Sequence, residues 1–275
     1  MTKTILITGS TDGIGLETAK ILSQSGHNIL LHGRNAAKLA DAKAMLEAFA
    51  GHGSIETYVA DLSDMPAVEA FAAAVTARHE RIDVLINNAG VFAVPDPRTA
   101  AGLDIRFAVN TIAPYLLTRR LLPLLDKSAR VVNLSSAAQS PVDLNALAGN
   151  ASLSDSAAYG QSKLALTMWS RSLADETAPD GPMIVAVNPG SFLGTKMVRE
   201  AYGSKGNDVG IGVDILVRAA LSEEFADASG LYFDNDSGQF ARPHPDALDP
   251  RKCEQLVHTL GTILQHLASG TKNDC

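Results

Sequence analysis

The sequence predicts an α/β protein: a single domain over 1–275 built on a doubly wound parallel sheet of about seven strands, with helices on both faces. Three observations carry this reading. Short runs rich in Ile, Leu and Val alternate with amphipathic segments through the first two thirds of the chain. The runs are apolar throughout rather than in alternate positions, as in strands buried on both faces. Each is separated from the next by a stretch of helical pattern, which makes the strands parallel and the crossovers right-handed.

The expected strands cover 4–8, 28–31, 56–60, 84–86, 130–134 and 184–187, and the helices between them cover 14–25, 36–50, 66–78, 102–125 and 156–177. Past Pro189 the pattern loosens. Residues 191–212 are polar and glycine-containing, and read as a mobile segment over a substrate site. A helix over 213–222, a short strand over 230–233, a loop over 242–250 and a helix over 251–268 follow. No shift of composition marks a linker.

Bulk properties narrow the function. The chain has 275 residues, 46% of them apolar, and a formal net charge of -7. With no basic run it lacks the footprint of a nucleic-acid binder. Cys253 and Cys275 give neither a disulfide framework nor a metal spacing, which suits a reducing compartment. The seven histidines show no ligand spacing, and no metal is expected. The N-terminal MTKTILITGS runs directly into a strand rather than a secretory signal. No apolar run approaches the ~20 residues of a membrane span, so the expected setting is cytoplasmic.

The segment ILITGSTDGIG, residues 5–15, sets three glycines between the first strand and the first helix. Glycines let backbone approach a pyrophosphate closely, and helix N-terminal N–H groups favour anions. Gly9, Ser10, Thr11, Asp12, Gly13, Ile14 and Gly15 are therefore the candidate phosphate loop, with Ser10 and Thr11 as possible hydroxyl donors. A Gly-rich turn without a ligand is the plainer alternative. The glycine spacing also differs from G-x-G-x-x-G.

The pattern T-G-x-x-x-G-x-G, with Tyr159-x-x-x-Lys163 far downstream, resembles the short-chain dehydrogenase/reductase family. Further motifs fall in order at strand ends: NNAG at 87–90, VNLSS at 132–136 and NPG at 188–190. Each is weak alone, and their agreement in order and position gives the resemblance its weight. It runs from Thr8 to about Thr195. It implies a Rossmann-type fold, a nicotinamide cofactor and contacts from Asn88, Ala89, Gly90, Pro189, Gly190 and Thr195. The Thr195 contact stands one residue further from the glycine than is usual in the family.

A free phenol has a pKa of about 10, too high for efficient proton exchange at neutral pH. An ammonium one helical turn away favours the phenolate. The expected roles follow from the resemblance. Tyr159 exchanges a proton with the substrate oxygen, Lys163 lowers the phenol pKa and holds the nicotinamide ribose, and Ser136 steadies charge on the carbonyl oxygen. Ser135 competes for that last role. Asn110 interrupts an apolar helix and matches an asparagine that holds a relay water to the lysine; the alternative is an irregularity satisfied by backbone. The insert at 137–157 is longer than in many members, must loop out, and resembles the retinol-dehydrogenase-like and WW-domain-oxidoreductase-like branches.

LLHGRN ends the second strand with Arg34 and Asn35 where an acidic residue would select an unphosphorylated ribose. A guanidinium suits a 2′-phosphate, so NADP(H) is expected. Asp61, with Leu62, resembles the adenine-contacting position. Phe92, Val94, Phe192, Leu193, Met197 and Tyr202 lie on segments expected to overhang the cofactor, and suggest an apolar substrate. The reading is an NADP(H)-dependent oxidoreductase interconverting an alcohol and a ketone or aldehyde. A non-catalytic NADP(H)-binding sensor, and an epimerase or dehydratase on the same fold, are the rivals. A homodimer or homotetramer paired through the helices over 102–125 and 156–177, using Leu116, Leu117, Leu121, Leu166 and Trp169, is the expected assembly.

Overall fold

Thr4–Ile7 form β1, and its position organises everything else. It pairs in parallel with β2 (Asn28–Gly33) on one side and β4 (Val84–Asn87) on the other. With β3 (Ile55–Val59), β5 (Arg130–Leu134), β6 (Met183–Asn188), β7 (Tyr232–Asp234) and β8 (Gln239–Ala241), the sheet order is β3-β2-β1-β4-β5-β6-β7-β8. The first seven strands are parallel and β8 returns antiparallel to β7. The eighth strand was not expected. Three residues flanked by Gly238 and Arg242 carry too short a pattern to read. This computed structural model describes residues 1–48 and 51–270, and of Tyr202 only the backbone. The end of the helix expected over 36–50, the Tyr202 side chain and Cys275 lie outside the described residues.

Alternate strand residues point to opposite faces, and two separate cores result. Ile5, Ile7, Ile29 and Leu31 face α1 (Gly13–Gln24), α2 (Ala36–Glu47) and, further along the chain, the helix at Val209–Leu221. Leu6, Leu30, Leu85 and Val131 face the other layer. That layer holds α3 (Met65–Thr76), α4 (Ile105–Phe107), α5 (Ala113–Leu121) and, after the short α6 (Leu144–Leu147), the long α7 (Asp155–Thr177). Beyond β6 come α8 (Lys196–Tyr202), α9 (Val209–Leu221) and α10 (Pro250–Ser269), the last packing on α7 and α3. Among the described residues no helix is long and apolar enough to cross a membrane.

Three expectations change. The helix foreseen over 102–125 is broken, with a π turn at Ala108–Ile112 between α4 and α5 and a 3-10 turn at Leu122–Leu124. Pro114 has no N–H to offer the Asn110 carbonyl, so the α register fails there and Ala113 N–H reaches back to Ala108 O. The insert at 137–157 does not simply loop out, because Ala146 and Leu147 on α6 are buried in the main core. Arg98 clasps it, donating to the Gly149 carbonyl at 2.8 Å, the Ala151 carbonyl at 3.2 Å and the Ser152 hydroxyl at 2.9 Å. Finally, Leu116, Leu117, Leu121, Leu166 and Trp169 are buried within the single chain, in one core with Leu256, Leu260 and Ile263 of α10. They form no open face and carry no argument for two-fold pairing.

Leu260 is fully buried. Leu260→Ala is expected to lower the unfolding free energy by about 2–5 kcal/mol, read as a lower urea midpoint at unchanged m-value. A loss below about 0.5 kcal/mol would mean that α10 is not part of the core.

Candidate active site

Parallel strands send their C-terminal ends to one edge, and the chain crosses from one side of β1 to the other between β3 and β4. Ligands of such sheets lie in the crevice this reversal opens. The loop from Gly9 to Asp12 leaves β1 there, and its shape depends on missing side chains. Gly9 and Gly13 have φ of +65° and +56°, which favours glycine. A Cβ on Gly15 would lie 2.4 Å from Asn88 Nδ2 and 2.5 Å from Gly9 O. Asn88, just past β4, explains this crowding: its Nδ2 donates to Thr8 O at 2.8 Å and Gly9 O at 3.0 Å. Thr8 Oγ1 accepts from the N–H groups of Asn88 and Ala89. The NNAG turn thus staples the glycine loop from behind.

Asp12 caps α1 and its carboxylate accepts from Gly13 N–H. The first-turn N–H groups of Ile14 and Gly15 have no carbonyl within their own helix to reach, and the helix dipole is positive there. Ser10 corrects an expectation. It is fully buried, and its hydroxyl accepts from His32 N–H at 2.9 Å and donates to His32 O at 3.3 Å. Its oxygen anchors the loop and is not a donor to a phosphate. Thr11 packs its methyl over Gly33, where a Cβ would come within 2.6 Å.

Arg34 follows β2, is exposed, and forms no ion pair among the described residues. Asn35 next to it caps α2, accepting from Lys38 N–H at 3.0 Å. Asp61, past β3, turns its carboxylate onto Ser63, accepting from the backbone at 2.9 Å and the hydroxyl at 2.8 Å. Leu62 is buried. The cap of α3 is Asp64, without a side-chain bond to the helix.

The other wall is α7. Its start is fixed by Ser154, which accepts from Ala157 N–H, and by Asp155, which pairs with the buried Arg106 of α4. Lys163 lies one turn after Tyr159 and is 4% exposed. Its Nζ donates to the Leu134 carbonyl at 2.7 Å and stands 5.7 Å from the centre of the Tyr159 ring. Burial pulls its pKa down to about 8, so the ammonium predominates at neutral pH. The Phe92 ring meets Tyr159 edge-on at 5.0 Å.

Ser135 and Ser136 separate cleanly. Ser135 is buried and its hydroxyl bonds Thr167 Oγ1 at 2.7 Å and Lys163 O at 3.2 Å, tying α7 to β5. Ser136 is half-buried, accepts from Ala138 N–H at 3.1 Å, and its carbonyl accepts from Tyr232 Oη at 3.2 Å. Only the second serine faces an open edge. Asn110 is fully buried on the π turn, with Oδ1 accepting from Val91 N–H at 2.8 Å and Nδ2 donating to Val91 O at 2.9 Å and Ser162 Oγ at 3.0 Å.

These groups meet above Gly90. A Cβ there would stand 3.4 Å from Asn110 Oδ1, 3.6 Å from Lys163 Nζ and 3.9 Å from Met197 Cε. Thr195 caps α8 by accepting from Val198 N–H, and its methyl stands 3.7 Å from where a Gly13 Cβ would be. Pro189 and Gly190 follow β6, with Asn235 Nδ2 donating to Pro189 O at 3.0 Å. Leu193 departs from expectation: it is 4% exposed and packs against Gly190 and Gly212, so it anchors its segment rather than overhanging a site. Phe192 beside it is 58% exposed at a φ of 53°.

A glycine cradle at a helix N-terminus, joined at a sheet switch point to a Tyr–Lys–Asn cluster, defines a dinucleotide-binding oxidoreductase. Residues 3–205 match the family described as short chain dehydrogenase, and the chain belongs to that family. Within it, the chain is similar to human retinol dehydrogenase 13, at 32% identity over 92% of this chain and 82% of that protein. Human polyprenol dehydrogenase is 32% identical, over 84% of this chain and 76% of its own length. Among solved structures, the Pseudomonas aeruginosa RhlG/NADP active-site complex superposes with a TM-score of 0.68 at 26% identity, covering 86% of this chain and 95% of that one.

The burial of Lys163 has a linked consequence. Between pH 8 and about 10.5 the unfolded chain holds a proton on this amine that the folded chain has lost. Stability therefore gains from this group as pH rises through that window. Lys163→Met is expected to flatten the gain, measured as urea midpoints of both proteins from pH 7.5 to 10.5. Parallel curves would show that the amine titrates normally.

Proposed function

We propose that the protein is an NADP(H)-dependent oxidoreductase that interconverts an apolar alcohol and its aldehyde or ketone, with Tyr159 as the proton-exchanging group. The convergence of Lys163 Nζ and Asn110 Oδ1 above Gly90 carries this reading, because it joins a proton-handling cluster to the glycine cradle. The cradle fits a dinucleotide: a Cβ on Gly13 would meet Thr195 no closer than 3.7 Å, and the N–H groups of Ile14 and Gly15 have no acceptor within their own helix. The solved relative described as an NADP complex supports the phosphorylated cofactor, as does the exposed Arg34 guanidinium past β2, which has no ion pair among the described residues. The retinol and polyprenol dehydrogenase relatives support an apolar, isoprenoid-like alcohol. So do Phe92 and Met197 beside the cluster.

When bound, the nicotinamide supplies or accepts the hydride. The chain's own residues do the rest. Gly13, Ile14 and Gly15 hold the pyrophosphate, Arg34 with Asn35 the 2′-phosphate, and Asp61 with Leu62 the adenine side. Asn88, Ala89, Gly90, Pro189, Gly190 and Thr195 line the nicotinamide half. Lys163 has donors left after its bond to Leu134 O and gives them to the ribose hydroxyls. Its charge favours the Tyr159 phenolate, so the phenol yields its proton to the carbonyl oxygen in reduction and takes it back in oxidation. Ser136 donates to the same oxygen as negative charge grows there. Asn110 holds a water in line with Lys163, since its position on the π turn frees a backbone carbonyl from the α register. The segment over 191–212 closes over bound substrate, with the exposed Phe192 near its start.

Tyr159→Phe removes only the hydroxyl. Turnover of an apolar aldehyde with NADPH is expected to fall by at least about 10³-fold while NADPH affinity stays within about threefold; near-normal turnover would exclude the role. Ser136→Ala is expected to cost about 10²-fold in kcat, and Ser135→Ala to lower Tm instead. Arg34→Asp should weaken NADPH and spare NADH, and unchanged NADPH affinity would remove the phosphate contact.

A further inference from the structure

β2 is apolar through its middle and then carries His32, 3% exposed in a strand buried on both faces. An imidazole so placed needs partners for both ring nitrogens, and both have them. Nδ1 lies 3.1 Å from Gly9 N and Nε2 lies 3.2 Å from Ala60 O. A backbone N–H only donates and a carbonyl only accepts, so the ring is the neutral tautomer with its proton on Nε2. It stacks on Phe71 of α3 at 4.8 Å and 22°. Burial pushes its pKa down to about 4, against the pull of the Ala60 carbonyl and of Asp61, so the neutral form holds at neutral pH.

The two partners bracket the cleft. Gly9 opens the phosphate loop, and its N–H faces β2, where the His32 carbonyl already accepts from Ser10 N–H at 3.0 Å. The imidazole supplies the acceptor for the Gly9 N–H. Ala60 lies at the end of β3, next to Asp61 on the adenine side. Ser10 grips the backbone of the same histidine. One side chain therefore links the pyrophosphate and adenine ends of the cleft.

We propose that His32 is a positioning residue for the cofactor: its Nδ1 fixes the Gly9 peptide, and through it the phosphate loop, against the end of β3. This rests on the NADP(H) reading. The two bonds can be removed separately. His32→Asn keeps an acceptor near the Nδ1 position, and His32→Gln keeps a donor near the Nε2 position. Each variant loses one buried bond, so a purely structural histidine would give both the same effect.

The test is NADPH titration by fluorescence, with Tm and steady-state kinetics, on the wild type and both variants. His32→Asn is expected to bind NADPH within about threefold of wild type. His32→Gln is expected to bind about tenfold more weakly, in keeping with one orphaned N–H, and the loss should fall on Kd and KM for NADPH rather than on kcat. Equal affinities for the two variants, or losses that only track Tm, would overturn the role of His32. A wild type that binds no NADPH would overturn the oxidoreductase reading itself, and the role of His32 with it.

Discussion

The chain has to pass through the crevice beside β1 without filling it. β1 is flanked by β2 and β4, so the first βα loop leaves the sheet where strands on both sides end. Backbone there stands within contact of backbone, and a Cβ on Gly9 would lie 2.9 Å from Ala89 Cα. The glycines are required first by packing against the NNAG turn, and the space on their other side is the cradle. Asn88 and His32 hold the loop from behind and from the side, so its open face need not be held by anything in the protein.

The second requirement is a charge held at the edge of a core. Lys163 is buried at the junction of α7 with β5, bonded to Leu134 O. Removing an ammonium from water is costly unless it is compensated, and the lowered pKa of this amine expresses that cost. The helix is held in place despite it. Ser135 and Thr167 pin α7 to β5, Asn133 Nδ2 reaches Ser170 Oγ at 2.8 Å, and Arg106 fixes the helix start. Tyr159 lies on the helix between these anchors, with Phe92 edge-on to its ring.

Much of this was legible in the sequence. Six apolar runs became six of the eight strands, because a strand buried on both faces cannot avoid an apolar run. The glycine loop, the NNAG turn, Tyr159, Lys163, Asn110 and Arg34 were found by motif and all lie along one sheet edge. What was missed depended on tertiary contact. His32 stood in the quoted LLHGRN, and the usable signal was a lone imidazole in a strand with no solvent face. Pro114 two turns into an apolar helix signalled the π turn. β8 and α6 are too short for periodicity, and Ser10 looked like a ligand donor because nothing local shows that its hydroxyl turns inward to β2.

The most direct measurement is a fluorescence titration of the wild-type protein with NADPH and with NADH. Saturable binding of NADPH, with NADH at least about tenfold weaker as expected for a guanidinium recognising a 2′-phosphate, is the predicted result. Binding of neither nucleotide would contradict the assignment of the glycine cradle as a cofactor site.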